Sequence, residues 1–241
     1  ETFDLGTESR GGTRTIVHEE YEKTSVGDRN VSRDLISFMR SRNIQFYGKN
    51  LKPSTEFFPY FDGTAVSRYC IPKLLEIEMN TGAFQAGEAV RSVSFKKGVT
   101  ACKFAARLAT IDHKEGPYNT PTKTYVTNPY DGQLMPGDYS STSSFINIDT
   151  YSLCNEYQGE YYGFVEIGTV LVGETSGATA TVTNLRHISD DQSDCLGVFY
   201  IPQTTTSYHP RFECGQRSFI LTSSESNDAE SVTSIAEENF S

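Results

Sequence analysis

The sequence predicts an all-β fold, a mainly antiparallel, β-sandwich-like body with long loops and at most short helices. Apolar and polar residues alternate over many short stretches, which is the periodicity of half-buried strands. The 241 residues include 19 Gly, and Ser and Thr are abundant, a composition that favours short strands and tight turns over long helices. Hydrophobic residues make up 37% of the chain and aromatic residues 12%, which is sufficient for a buried core.

Residues 35–72 contain the densest cluster of aromatic residues and turn signals, and they predict two strands. Residues 43–48 alternate with period two, and after a break at Pro53 the alternation resumes in residues 55–61 until the turn dipeptide Asp62-Gly63. The aromatic residues of both strands predict a packing seam, which consists of Phe46, Phe57, Phe58, Tyr60 and Phe61. Because Pro59 cannot donate to a ladder, it places the second strand at a sheet edge or a bulge, facing a neighbour as well as the core.

Further strands are predicted along the chain wherever the alternation returns. Leu75, Ile77 and Met79 alternate with glutamates, which is the clearest one-sided strand. Small residues at 178, 180 and 182 alternate with Thr and predict a hairpin with the preceding apolar run through the turn at 173–177. The other predicted strands cover residues 89–95, 103–108, 145–148, 163–172, 196–201 and 218–222.

The two ends of the chain differ in composition from the β-rich body, which spans residues 35–222. Residues 1–34 are polar and charged and predict an extended N-terminal arm, and residues 30–39 fit either two helical turns or a strand. Residues 223–241 predict a polar acidic linker, or alternatively a short capped helix at 234–237. The chain begins with Glu1 rather than Met, so we expect it to be a segment of a longer polypeptide.

Residues 110–144 interrupt the strand pattern with a Pro- and Tyr-rich excursion that predicts a long irregular loop. One interpretation is an interaction surface, in which aromatic faces stack on a sugar or contact a partner. The other is a covering loop whose tyrosines are half buried. The candidate contact residues for a glycan or a partner are Tyr118, Tyr125, Tyr130 and Tyr139.

Charge and cysteine usage exclude several classes of protein. The net charge of −10 argues against nucleic-acid binding, which needs clustered Lys and Arg. The five cysteines are widely spaced with no CxxC pair, which predicts neither a disulfide framework nor a zinc site. No apolar run is long enough to span a membrane, so no membrane insertion is expected.

The chain carries no recognised catalytic or cofactor motif, and we predict that it is not an enzyme and binds no cofactor or metal. Asp190, Asp191 and Asp194 could supply oxygens to Ca²⁺, but they lack the Gly and terminal Glu of an EF-hand loop, which favours a solvated acidic turn. The four histidines have no ligand spacing. Scattered carboxylates leave a hydrolase that acts on a polysaccharide as a weaker hypothesis.

Several ordered segments resemble virion structural proteins of contractile-tailed bacteriophages, especially phages of cyanobacteria. The resemblance begins with residues 34–43 (DLISFMRSRN), followed by Gly48, Leu51, Pro53 and Thr55 and by residues 61–63 (FDG). Similar segments then follow in the same order at residues 139–143, 171–178, 199–202 and 212–222. The segments are individually degenerate, and their ordered combination covers residues 11–241.

This resemblance implies a structural component of the tail, baseplate or fibre system, assembled in the host cytoplasm and residing in the virion. Its expected partners are other virion proteins and further copies of the chain, which makes it a homo-oligomer. The family contributes no catalytic residues to this sequence. The alternative function is a carbohydrate- or receptor-binding module on the part of the tail that contacts a host surface glycan.

Overall fold

The computed structural model describes residues 38–93, 101–107, 113–155, 160–202 and 209–240, and these residues are almost entirely β. One short helix, α1 (Thr150–Leu153), and a single turn of 3-10 helix at Ser67–Tyr69 are the described helical elements. In chain order the strands are β1 (Arg42–Gly48), β2 (Glu56–Phe61), β3 (Thr64–Ala65), β4 (Cys70–Pro72), β5 (Leu74–Thr81), β6 (Ala89–Ser92), β7 (Lys103–Arg107), β8 (Phe145–Ile148), β9 (Val170–Gly173), β10 (Thr179–Asn184), β11 (His187–Ile188), β12 (Cys195–Ile201), β13 (Arg217–Thr222) and β14 (Ile235–Phe240).

All strand pairs are antiparallel, which confirms the predicted all-β class. The predicted N-terminal arm (1–34) and most of the segment at 30–39 lie outside the described residues. Within the described ranges, no helix has the length and apolar character needed to cross a membrane.

Six strands form a closed barrel in the order β10-β5-β8-β7-β6-β9. Buried and more exposed residues alternate in β6, β9 and the first part of β10, as expected for inward and outward faces, whereas β8 is buried throughout. The fully or almost fully buried interior residues include Leu75, Ile77, Val90, Phe104, Ala106, Ile146, Ile148, Leu171, Ala180 and Val182. The hairpin β9–β10 has the predicted arrangement, since Ala180 and Val182 are buried while their Thr neighbours are more exposed.

The turn that joins β9 to β10 is held by a buried carboxylate. Glu88 is 5% exposed, and its oxygens accept hydrogen bonds from the backbone of Thr175 at 3.0 Å and of Ser176 at 2.9 Å. They also accept the Ser176 hydroxyl at 2.8 Å and the backbone N–H of Gln85 at 2.7 Å. These bonds offset the cost of burying the charge and fix the hairpin at the mouth of the barrel.

The remaining strands form two sheets that pack face to face as a sandwich. One sheet has the order β1-β12-β4, and the other has the order β11-β2-β13-β14 with β3 also paired to β2. Aromatic rings join the sheets: Phe46 lies 5.0 Å from Phe219, and Phe61 lies 5.2 Å from Phe199, measured between ring centroids. The sandwich-like body predicted from the sequence is therefore present, and the barrel is an addition that the sequence did not reveal.

Strand β12 is the central strand of the three-stranded sheet, and all of its residues are buried. Gly197 lies in its middle, where a Cβ atom would stand 2.4 Å from Cζ of Phe46 and 2.8 Å from the carbonyl oxygen of Ile71. The absence of a side chain at this position lets β1 and β4 pack their residues against β12 from both sides.

The prediction that Pro59 places β2 at a sheet edge is wrong. Strand β2 pairs with β13 along one side and with the short strands β11 and β3 along the other. Pro59 falls in the gap between these two short partners, where its missing N–H removes no ladder bond, while its carbonyl accepts the Val66 N–H at 3.0 Å. The predicted faces are nevertheless observed, because Phe57 and Phe61 point into the core and Tyr60 points away from it.

Two further boundaries differ from the sequence prediction. The strand predicted at 163–172 begins only at Val170, because Gly163 and Gly168 adopt positive φ angles of 93° and 86°, which interrupt an extended strand. The linker predicted at 223–241 is wrong for residues 235–240, which form β14 and pair with β13 over its whole length.

Candidate functional site: a groove at the open edge of the sandwich

In the described part of the sandwich, β1, β3, β4, β11 and β14 each pair with one neighbour only, and the edges of β1 and β14 flank one groove. Strand β1 pairs only with β12, and β14 pairs only with β13. The guanidinium of Arg42, at the start of β1, lies 5.2 Å from the ring of Phe240, at the end of β14. The two edges therefore run side by side, and the space between them, here called the edge groove, contains a cavity of about 310 Å³.

The floor of the edge groove consists of aromatic residues from four strands, namely Phe46, Phe61, Phe199 and Phe219. Its walls are the consecutive residues 44–49 of β1 and its flank and residues 236–240 of β14. Several apolar side chains of the groove, Ile44, Phe219, Ala236 and Phe240, pack on the core yet are only partly buried. The groove is thus a place where the aromatic core of the sandwich reaches solvent.

A carboxylate lies on the groove face of β14. Ala236 and Phe240 pack against the core, and since side chains alternate along a strand, Glu238 between them faces the same way. Its cross-strand neighbour is Phe219 of the groove floor, whereas Glu237 pairs with Ile220 on the opposite face. Both carboxylates are exposed, and neither has an ion-pair partner among the described residues.

Three of the five residues of the predicted packing seam lie together in the core, and the other two lie on the opposite face of β2. Phe46, Phe57 and Phe61 belong to the core, and Phe46 and Phe61 also line the edge groove. Phe58 is half-buried and Tyr60 is buried on the other face of β2, where the Tyr60 hydroxyl donates to the carbonyl of Glu225. The two strands of the seam do not pair with each other, because β1 pairs with β12.

The predicted glycan-contact tyrosines mostly attach the excursion to the body. Tyr125 and Tyr139 are 5% and 9% exposed, so their rings offer no face to a ligand, and that part of the prediction does not hold. Tyr139 donates to the carbonyl of Arg107 and accepts the Asn147 N–H at 2.9 Å, and Tyr130 donates to the carbonyl of Leu74. Burial raises the pKa of each of these hydroxyls, which keeps them protonated as donors.

Tyr118 is the exception among the four tyrosines. Its side chain is 46% exposed, its ring stacks on His113 with centroids 5.6 Å apart, and the guanidinium of Arg107 lies 5.8 Å from the ring. The excursion therefore has the character of a covering loop with one exposed aromatic residue.

Two carboxylates of the acidic turn at 190–194, those of Asp190 and Asp194, bind the ammonium group of a lysine. Lys114 is 0% exposed, and its Nζ contacts Oδ2 of Asp190 and, at 2.8 Å, Oδ2 of Asp194. Asp190 also accepts the backbone N–H groups of Gln192 and Asp194, both at 3.0 Å. Across the described residues, no group of His, Cys, Asp and Glu has the arrangement of a metal site.

This lysine cluster joins the excursion to the sandwich. The hydroxyl of Tyr47 on β1 donates to Asp194 at 2.7 Å, and Lys123 also contacts Asp194. Burial and the hydrogen bond to Asp194 raise the pKa of Tyr47. Burial acts to raise the pKa of Asp194, but hydrogen bonds from Lys114 and Tyr47 outweigh it, so the pKa lies below its ordinary value.

A second buried charge cluster closes one end of the barrel. Arg107 is 1% exposed and lies 3.1 Å from Asp149, whose side chain also caps α1 by accepting the Ser152 N–H at 3.4 Å. Lys73 is 1% exposed and donates to the carbonyl of Ile148. Burial and the neighbouring Arg107 lower the pKa of Lys73 well below its ordinary value.

Comparisons of the chain with protein-family models, with curated proteins and with solved structures found no match. The resemblance to phage virion proteins therefore stays a prediction. The residues of the edge groove that sequence reasoning missed are those of β14, because Glu237, Glu238 and Asn239 interrupt the apolar alternation and resemble a polar linker. The only sequence signal was Ala236 and Phe240 at even spacing.

Proposed function

We propose that this chain is a non-enzymatic structural module of a tailed-bacteriophage virion, in the tail, baseplate or fibre system. It is assembled in the host cytoplasm and contacts other virion proteins and further copies of itself. The single observation that carries the proposal is the edge groove, where two unpaired strand edges flank an aromatic cavity. Unpaired edges next to exposed apolar surface are the elements from which strand-addition interfaces are built.

The closed barrel and the buried charge clusters support the same role. The barrel presents no strand edge, and its charged residues at 73, 107 and 149 are buried and paired within the chain. A body that combines a closed barrel with an open groove suits a subunit that occupies a fixed place in an assembly. The resemblance of the ordered sequence segments to tail-associated proteins supplies the class of assembly.

The proposal is tested on particles produced from the genome that encodes this chain. We expect mass spectrometry of gradient-purified particles to detect peptides of the chain at a constant ratio to the major structural proteins. Antibodies against the chain should label the tail region in electron micrographs. Particles that are infectious and intact but contain none of its peptides would overturn the proposal.

The second candidate function is recognition of a host surface glycan or receptor, and Tyr118 is the observation that favours it. The exposed ring of Tyr118 and its hydroxyl offer stacking and hydrogen bonding to a sugar. A glycan array probed with the chain and with Tyr118→Ala tests it. Binding that is lost in the variant supports this function, and an array without signal refutes it.

A further inference from the structure

The edge groove has the dimensions of a site for an extended chain. Packed sheets lie about 10 Å apart, which is about twice the spacing of hydrogen-bonded strands, so a segment placed between the edges of two sheets is near the backbone of both. Strands β1 and β14 belong to the two packed sheets and have no further partner in the described ranges. A cavity of about 310 Å³ is at the small end of the range for ligand pockets and suits a few side chains better than a large organic ligand.

The chemistry of the edge groove specifies which side chains fit it. The aromatic floor and the partly buried Ile44, Phe219 and Phe240 favour a large apolar side chain at the centre. Glu238 adds a carboxylate beside this apolar surface, without a cation partner in the described residues. A Lys or Arg on the same face of the incoming segment would pair with it.

The same carboxylate disfavours one alternative, a symmetric extension of the sheet by a second copy. Antiparallel pairing of two β14 strands would bring Glu237 and Glu238 of one copy close to those of the other. Like charges across neighbouring strands are destabilising. The charge of β14 is therefore better matched by a chemically different segment that carries a cation beside Glu238.

We propose that the edge groove binds an extended segment of another virion protein, which adds as a β-strand and carries a large apolar residue next to a Lys or Arg on one face. This inference rests on the proposed function for the class of partner, while the chemistry of the segment rests on the groove. Backbone bonds to β1 or β14 supply affinity, and the apolar and cationic side chains supply specificity.

The test uses the full chain and a library of displayed peptides of about seven residues, in which alternate positions are randomised and the others are Thr. Wild-type chain should enrich peptides with an aromatic or large aliphatic residue and a Lys or Arg on the randomised face. Glu238→Lys should enrich Asp or Glu at the cationic position. Glu230→Lys, at an exposed position outside the groove, is the matched control for the change of charge and should select the same peptides as wild type.

A peptide enriched on wild-type chain should bind Glu238→Lys about tenfold more weakly, as expected for replacing a favourable ion pair by a like-charge contact. Both substitutions are at exposed positions, and circular dichroism checks that the variants fold. Enrichment that is absent, or that does not change in Glu238→Lys, would overturn the inference. A dimer of the chain that dissociates in Glu238→Lys would also overturn it, because the occupant would then be a second copy.

The outcomes separate the two proposals. If particles contain the chain but the library shows no selection, the chain assembles through another surface. If the library shows the expected selection but particles lack the chain, the groove binds strands in a different setting and the virion function fails.

Discussion

Each strand of the barrel has two hydrogen-bonded neighbours, whereas β1 and β14 of the sandwich each have one. The barrel interior is filled largely by aliphatic and small residues, and the sandwich core is built mostly of Phe rings in contact with each other. A closed sheet has no edge to offer and can be packed to completion, while an open sandwich leaves part of its core at the surface. The difference teaches that unpaired strand edges and exposed core surface belong to the sandwich and not to the barrel.

Buried charge follows the same division. At the barrel end, Arg107 pairs with Asp149 and donates to the Gly116 carbonyl, and Lys73 donates to the Ile148 carbonyl of β8. The Lys114 cluster instead joins the excursion between β7 and β8 to the sandwich through Asp190, Asp194 and Tyr47. The second cluster is therefore one of the points at which the two regions are joined.

The largest expected effect is a loss of stability in Lys114→Met, which removes the link between the excursion and the sandwich. Removing the ammonium leaves two nearly buried carboxylates without their main counter-charge, and breaking a buried ion pair costs about 3–5 kcal/mol of unfolding free energy. Urea unfolding followed by circular dichroism measures the loss. Lys123→Met is the control, because Lys123 is 37% exposed and its removal should cost less than about 1 kcal/mol. Equal effects of the two variants would contradict the assigned roles.

Acid should weaken the sandwich through His187. Burial lowers the pKa of this imidazole from 6.5 to about 4, so the unfolded chain binds its proton at a higher pH than the folded chain. The neutral imidazole therefore contributes fully to the unfolding free energy above pH 6.5. This contribution is lost as the pH falls to about 4, and the loss is about 3 kcal/mol in total.

This prediction is checked by comparing the pH dependence of unfolding for wild type and His187→Gln. The wild-type chain should lose about 3 kcal/mol more than the variant between pH 7 and pH 4. Hydrogen exchange at pH 5 should show the larger loss of protection in β2 and β11 than in the barrel. Parallel pH profiles for the two proteins would show that the imidazole is accessible to protons in the folded state.

Overpacking should harm the sandwich at its centre. Gly197→Ala introduces a methyl group that meets Phe46 and the Ile71 carbonyl, and we expect a loss of about 1–3 kcal/mol. Gly137→Ala is the matched control, since no atom lies within 4 Å of its Cβ position and its φ angle is not in the left-handed region. A Gly197→Ala variant as stable as Gly137→Ala would mean that β1 can move away from β12 without cost.

The smallest effect concerns thiol reactivity, which reports exposure without altering stability. All five cysteines lie among the described residues and carry free thiols, and only Cys214 is exposed. Burial raises the pKa of Cys195 in the sandwich to about 12 and raises the pKa of Cys102 in the barrel. Native chain should therefore react rapidly with one equivalent of a maleimide, at Cys214, and Cys214→Ser should abolish that phase. Rapid labelling of Cys102 would indicate that the barrel opens.

The sequence alone determined the local structure, because strand formation depends on alternation that can be read residue by residue. The strands β1, β2, β5, β7, β8, β10, β12 and β13 were predicted close to their observed bounds. The two faces of β2 and the β9–β10 hairpin were also predicted. Local alternation does not specify which strands pair, so neither the closure of the barrel nor the pairing of β1 with β12 was visible.

Only the tertiary structure decided the site. In the sequence, Glu238 and its neighbours resemble a linker, because an isolated polar segment has little tendency to form a strand. They form β14 because β13 pairs with them. The sequence left the excursion open as a surface or a cover, and the structure decides for a cover: carbonyl groups of β5 and β7 accept tyrosine hydroxyls, and an N–H of β8 donates to one of them. Likewise the acidic turn became a lysine site only because Lys114, distant in sequence, lies between its carboxylates. Long-range contacts of this kind depend on how sheets close and pack, which no short stretch of sequence encodes.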